Sequence, residues 1–227
     1  MRSARILGAT LAMVAVSAVA ATSASAAVSP ELENALGGVL GKNGVSGLAA
    51  KTTLETKSGE KVACEAATTS GTVANKRMGS RKVKLTKCTA FGLNCATAGA
   101  PAGTIEAEAN TRLVYLSEVF HTAGLLTEFK EFTISCAGIE KLTVRNNALG
   151  GVTPVNKFVP ANTAAFDLTF SQTKGVQEPT EYEESGKKVK PKPLEIKGEG
   201  IKSFGFEQSG LVSSETLEFE EEAQIKA

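Results

Sequence analysis

The chain has 227 residues, with 25 Lys and Arg against 24 Asp and Glu. A near-neutral balance excludes the general electrostatic pull on nucleic acid, which depends on many basic contacts to phosphates. The acids are 23 Glu and the single Asp167, there is one histidine, His121, and there is no Trp; histidine-based chemistry therefore has almost no material to work with.

In chain order, Arg2 and Arg5 precede an apolar run from Ile6 to Ala21, and Ala24-Ser25-Ala26 offers small residues at a cleavage site. Residues 1–26 thus read as a short helical secretory signal. A membrane anchor needs about 20 apolar residues, and this run is shorter and Ala-rich. Removing 26 residues leaves 201, with 23 basic groups facing 24 acidic ones. That length suffices for one domain with a real core. No later segment is long and apolar, so no transmembrane segment is expected after cleavage, and the first cysteine, Cys64, is too distant for lipid attachment at a new N-terminus.

Residues 27–47 read as a leader with a short helix over Val28–Leu40. Ser29 is placed to cap it, Pro30 suits its first turn, and Leu32, Leu36, Val39 and Leu40 recur at helical spacing, although Gly37 and Gly38 weaken it. Residues 48–227 read as one β-rich domain. Val83 and Leu85 alternate with Lys82, Lys84 and Thr86, and Ile105 and Ala107 alternate with Glu106 and Glu108. Phe132, Ile134 and Cys136, and then Phe166, Leu168 and Phe170, show the same period of two against polar neighbours. Leu113 to Leu116, Leu142 to Val144 and Leu217 to Phe219 add shorter strands. The predicted fold is all-β, an antiparallel β-sandwich or barrel of about ten to fourteen strands with little helix beyond the signal. Residues 177–200 carry Pro179, Pro191 and Pro193 among many Lys and Glu, and read as an edge excursion or exposed loop, because proline removes a ladder donor.

Export favours disulfides, and four cysteines, Cys64, Cys88, Cys95 and Cys136, allow three connectivities that sequence alone does not separate. The expected pairing is Cys88 with Cys95, across a Gly-containing loop, and Cys64 with Cys136. A metal site would need paired C-x-x-C spacing or nearby histidines, and neither is present. Lys187, Lys188, Lys190 and Lys192 form a small basic run that either is a solvated loop or makes weak contact with anionic envelope components. Glu218, Glu220, Glu221 and Glu222 read as the wet face of a last strand and its frayed end rather than a calcium loop, which ordinarily uses Asp and turn glycines.

No catalytic set, cofactor motif or metal site is assigned. A Ser-His-Asp triad would have to use His121, which sits in a turn-like segment before Leu125-Leu126. A glycosidase needs only two carboxylates, but this chain offers only Tyr115 and Tyr182, and no Trp, on which to stack sugar rings. Phosphate-cradling Gly-rich loops followed by a helix are absent.

The string Cys88-Thr89-Ala90-Phe91-Gly92-Leu93-Asn94-Cys95, with Ala98 to Thr104 after it, resembles a segment of small exported proteins from actinobacteria. Thr153 to Lys157, Gln177 to Thr180 and Phe206 to Leu211 are similar to later blocks of the same group. The resemblance spans most of the chain from about Cys64 onward. It implies export and a β-rich fold, and it carries no functional residue. The functional expectation is a secreted, non-catalytic structural or binding protein of the extracellular space or cell envelope. The alternatives are a secreted hydrolase using a Glu pair and a β-barrel carrier of a small apolar ligand.

Overall fold

A computed structural model describes residues 29–41 and 44–227; the predicted secretory signal lies outside them. The described residues contain no helix and seventeen strands. In chain order these are β1 (Glu31–Asn34), β2 (Gly44–Thr56), β3 (Lys61–Cys64), β4 (Ala66–Val73), β5 (Met78–Thr86) and β6 (Thr89–Ala90). Next come β7 (Leu93–Thr97), β8 (Ile105–Ser117), β9 (Thr122–Cys136), β10 (Glu140–Thr153), β11 (Phe166–Thr173) and β12 (Val176–Glu178). The chain ends with β13 (Tyr182–Glu184), β14 (Lys187–Val189), β15 (Glu195–Gly200), β16 (Phe204–Phe219) and β17 (Ala223–Lys226). Their pairings are antiparallel throughout.

Side-chain alternation fixes which face of each strand is buried. On β8, Ile105, Ala107 and Ala109 are buried while Glu106, Glu108 and Asn110 are exposed. On β11, Phe166, Leu168 and Phe170 point inward and Asp167, Thr169 and Ser171 outward. The same period runs along β16, where Leu211, Ser213, Glu215, Leu217 and Phe219 are all buried. Cross-strand pairs Lys82–Glu108 and Lys84–Glu106 lie on the wet side of β5 and β8.

Four long strands, β2, β9, β10 and β16, organise the ladder because each changes partner part-way along. Near one end the pairings run β2–β4–β5–β8–β9–β10–β11–β16 and back to β2. Near the other they run β2–β3–β6–β7–β9–β10–β15–β16 and again back to β2. Two closed rings thus share the same four strands, giving a sandwich-like barrel whose principal strands have no open edge. The forks coincide with bulges. On β2 the register against β16 shifts between Ser213 and Glu215, where Ala50 and Lys51 are both exposed. On β9 the register against β10 shifts where Lys130 and Glu131 are both exposed. An extra residue in one strand bends it and re-aims the residues beyond it, which lets one strand serve two partners.

The expected helix at Val28–Leu40 is not formed. Its residues Glu31 to Asn34 are strand β1, paired with β17 from Glu31↔Lys226 to Asn34↔Ala223. Leu32 and Leu40 are buried, but Leu36 is 94% exposed and Val39 47%, so the four residues do not share a face. The Asn34 side chain accepts hydrogen bonds from the amides of Leu36 and Gly38, and Gly37 has a φ of 74°. Such a local turn competes directly with helix formation. Residues 29–41 therefore belong to the folded body, and the C-terminal residues are not frayed: Ala223 and Ile225 lie within the core.

Leu32 and Ile225 of this ribbon line the same space as Val45, Leu113, Leu125 and Phe166 of the first ring, so β1 and β17 cap that ring. The cap is held by the Leu32 amide donating to the Lys76 carbonyl and by ion pairs of Lys76 with Glu31 and Glu33 and of Arg77 with Glu31. Burial acts to raise the Glu31 pKa, but hydrogen bonds from Arg77 and Lys76 outweigh it and hold the carboxyl below its ordinary value. A carboxylate depressed in the folded state stabilises fully above its unfolded pKa and loses that contribution as pH falls through the folded one. Amide-exchange protection of Leu32 and Ile225 is thus expected to drop, relative to β9 amides, between about pH 6 and below about pH 4. Glu31→Gln should flatten that dependence.

The proline-containing stretch is only partly an excursion. β12 is an edge strand, and β13–β14 is a hairpin lying on the outside of β8. There Tyr182 covers Val114, Leu126 and Leu149 in a second, smaller cluster. Correcting the loop expectation, β15 is paired on both sides, to β10 and β16, and Ile196 is buried. All three prolines precede it, so its ladder keeps its donors.

Candidate functional site in the barrel interior

All four cysteines are oxidised, and the pairing differs from the one expected: Cys64 joins Cys88 and Cys95 joins Cys136. The strand register explains the exchange. Phe91 and Gly92, with φ of 53° and 77°, make a two-residue turn of the left-handed kind that hairpins prefer, setting Thr89 opposite Asn94 and Ala90 opposite Leu93. Cys88 and Cys95 are consequently neighbours across that hairpin, with the Cys95 amide donating to the Cys88 carbonyl. A hydrogen-bonded cross-strand position holds the Cα atoms about 5.5 Å apart, wider than a non-hydrogen-bonded one. Each cysteine bonds instead on its other side, where Cα atoms are 4.0 Å apart in both disulfides. The result is a buried row of four sulfurs stitching β3, the entry to β6, β7 and β9 into the second ring.

A feature that sequence reading did not single out occupies the middle of the barrel. Arg81 on β5 and Glu215 on β16 are 8% and 3% exposed and form an ion pair of 2.5 Å. The same Arg81 nitrogen donates to Thr69 Oγ1 at 3.0 Å, and Thr52 and Ser213 share a hydroxyl hydrogen bond nearby. The pair is incompletely satisfied: Arg81 Nε, Glu215 Oε1 and Thr127 Oγ1 are buried without a partner. Each such atom costs about 1–3 kcal/mol when nothing meets it. Both residues sit on inward phases of their strands, Arg81 in step with Leu85 and Glu215 in step with Leu217. A charge of each sign on a buried phase was the available signal.

Room for Glu215 comes from β2. A Cβ built on Gly47 would lie 3.0 Å from the Glu215 carboxyl carbon and 2.9 Å from a Leu217 methyl. Gly47→Ala is therefore expected to destabilise the fold by about 1–3 kcal/mol through overpacking, read as a lower denaturant midpoint with an unchanged slope.

Two voids flank the ion pair. The one under the cap measures about 80 Å³ and the one toward the second ring about 40 Å³, and Arg81 and Thr69 belong to the walls of both. The remaining walls are mainly apolar, from Leu113, Leu125, Val152 and Phe166 in the first and Leu54, Phe132, Phe170 and Leu211 in the second. Among the described residues, Glu215 is the one carboxylate lining either void. The other deeply buried acid, Glu140, sits at the start of β10, where its Oε2 accepts the Lys202 amide and steadies the turn between β15 and β16.

His121 is exposed in a turn at positive φ. Of the basic run, Lys188 pairs with Glu181, and the β13–β14 register sets Lys187 and Lys188 opposite Glu184 and Glu183. No three His, Cys, Asp or Glu side chains come together as metal ligands among the described residues. No described helix is long and apolar enough to cross a membrane. Comparison with protein-family models, curated proteins and solved structures finds no match to the chain.

Proposed function

We propose that the protein is an exported, non-catalytic component of the extracellular space or cell envelope, acting as a structural or binding barrel. The observation that carries this reading is the state of the interior carboxylate. Glu215 is tied to Arg81, and no second acid lines either void, whereas a Glu-pair hydrolase needs two carboxylates facing one substrate. Two buried disulfides fit an oxidising compartment and support export. Expression of the full chain in an exporting host tests both parts. A secreted form whose N-terminus begins at about Ala27 and which turns over no chromogenic ester, glycoside or peptide is the expected result. Turnover that disappears in Glu215→Gln would replace this reading with the hydrolase.

A further inference from the structure

We infer that the smaller void, beside Glu215, is a site for one ordered water that bridges the Arg81–Glu215 ion pair to Thr127, so that the middle of the barrel is a polar crosslink between strands and not a lumen for cargo. This goes beyond the non-catalytic reading and does not depend on it. Arg81, Thr127 and Glu215 are 8%, 1% and 3% exposed, and they come from β5, β9 and β16, no two of which are paired.

Three polar atoms specify the occupant. Arg81 and Glu215 meet through Nη2 and Oε2, which leaves Arg81 Nε as a donor and Glu215 Oε1 as an acceptor without partners, together with Thr127 Oγ1, which can be either. All three residues belong to the walls of this one void. A water that accepts from Arg81 Nε, donates to Glu215 Oε1 and bonds the Thr127 hydroxyl makes the three hydrogen bonds usual for a buried water. Size and charge exclude other occupants. The void measures about 40 Å³, above the roughly 10–15 Å³ that one water needs and far below the roughly 150 Å³ that accommodates benzene. The ion pair is neutral as a unit, so a bare ion would enter as an uncompensated buried charge. Arg81 and Thr69 also wall the space beneath the cap. The hydrated pair thus stands between the two voids, where an apolar cargo would need a continuous cavity.

The test counts long-lived internal waters by magnetic relaxation dispersion of the water oxygen, on the exported, disulfide-intact protein and its variants. The Arg81→Met/Glu215→Leu double variant, which removes the donor and the acceptor, should hold one long-lived water fewer than the parent. Thr127→Val, a near-isosteric change, should shorten the residence time of that water by about tenfold, the loss of one hydrogen bond, and decides the matter if the double variant does not fold. Crystals should show a water within hydrogen-bond reach of both Arg81 Nε and Glu215 Oε1. An unchanged count in the double variant, an unchanged residence time in Thr127→Val, or xenon-pressurised crystals with xenon in place of water beside Glu215 would overturn the site. Substrate turnover by the same preparation would sink the non-catalytic reading and leave the water count standing, so the two failures are distinguishable.

Discussion

Glu215→Ala and Arg81→Ala are each expected to cost about 3–5 kcal/mol in denaturant unfolding, among the largest losses available to a single substitution here. Removing one partner strands the other charge in a space where Arg81 is 8% and Glu215 3% exposed. The double replacement Arg81→Met/Glu215→Leu should behave in the opposite manner, neutral or stabilising by about 1–4 kcal/mol, because two desolvated charges are exchanged for packed hydrocarbon. That contrast separates an ion pair retained for stability from one retained for another purpose. A double variant less stable than either single change would show that the pair itself holds the barrel together. A hydrogen bond from Arg81 to Thr69 ties the pair to β4, so every Arg81 replacement in the cycle also frees the Thr69 hydroxyl.

Loss of the disulfide row is the second large effect. The loop-entropy relation assigns about 3.5 kcal/mol to Cys64–Cys88 and about 4 kcal/mol to Cys95–Cys136, from sequence separations of 24 and 41. Replacing either pair by Ala should lower the unfolding free energy by amounts of that order, and replacing both should leave the second ring with β3, β6 and β7 weakly held. These three strands contribute only short ladders, the β3–β6 contact being the single register pair Ala63↔Thr89. Connectivity itself is checked by non-reducing peptide mapping, but trypsin alone does not suffice, since Cys88 and Cys95 lie between Lys87 and Arg112 with no basic residue separating them. Chymotryptic cleavage after Phe91 or Leu93 divides them. Separate linked peptides containing Cys64 with Cys88 and Cys95 with Cys136 are expected; a Cys88–Cys95 peptide would contradict the hairpin register.

Much of the fold is legible in period-two alternation. Ile105–Ala107, Phe166–Leu168–Phe170 and Leu217–Phe219 all lie in strands with the predicted face inward. Three features are not, each for a physical reason. Residues 28–40 carry helical spacing, but the partner that makes β1 a strand is β17, at the far end of the chain, and local spacing holds no trace of it. The cysteine pairing misleads because proximity in sequence and proximity across a hairpin agree on Cys88 and Cys95, while the bonding geometry is set by β3 and β9 on either side. The 177–200 stretch looks unfit for a central strand because of its prolines, yet Pro193 is the last of them and β15 begins at Glu195. The ion pair is the omission most open to recovery from sequence. Val83 and Leu85 fix the inward phase on which Arg81 lies, and Leu217 and Phe219 fix that of Glu215.

The pairing of the earliest strands with the latest has a consequence in time. β2 is bordered by β3 and β4, which lie just after it in the chain, but its other edge waits for β16, and β1 waits for β17. During synthesis at about 5–20 residues per second, the β4–β5 and β2–β4 ladders can form while that second edge remains bare. An unpaired edge is a template for joining another chain. The nascent protein therefore carries its greatest aggregation hazard in the interval before residues 204–219 emerge, and neither ring closes until β16 is in place.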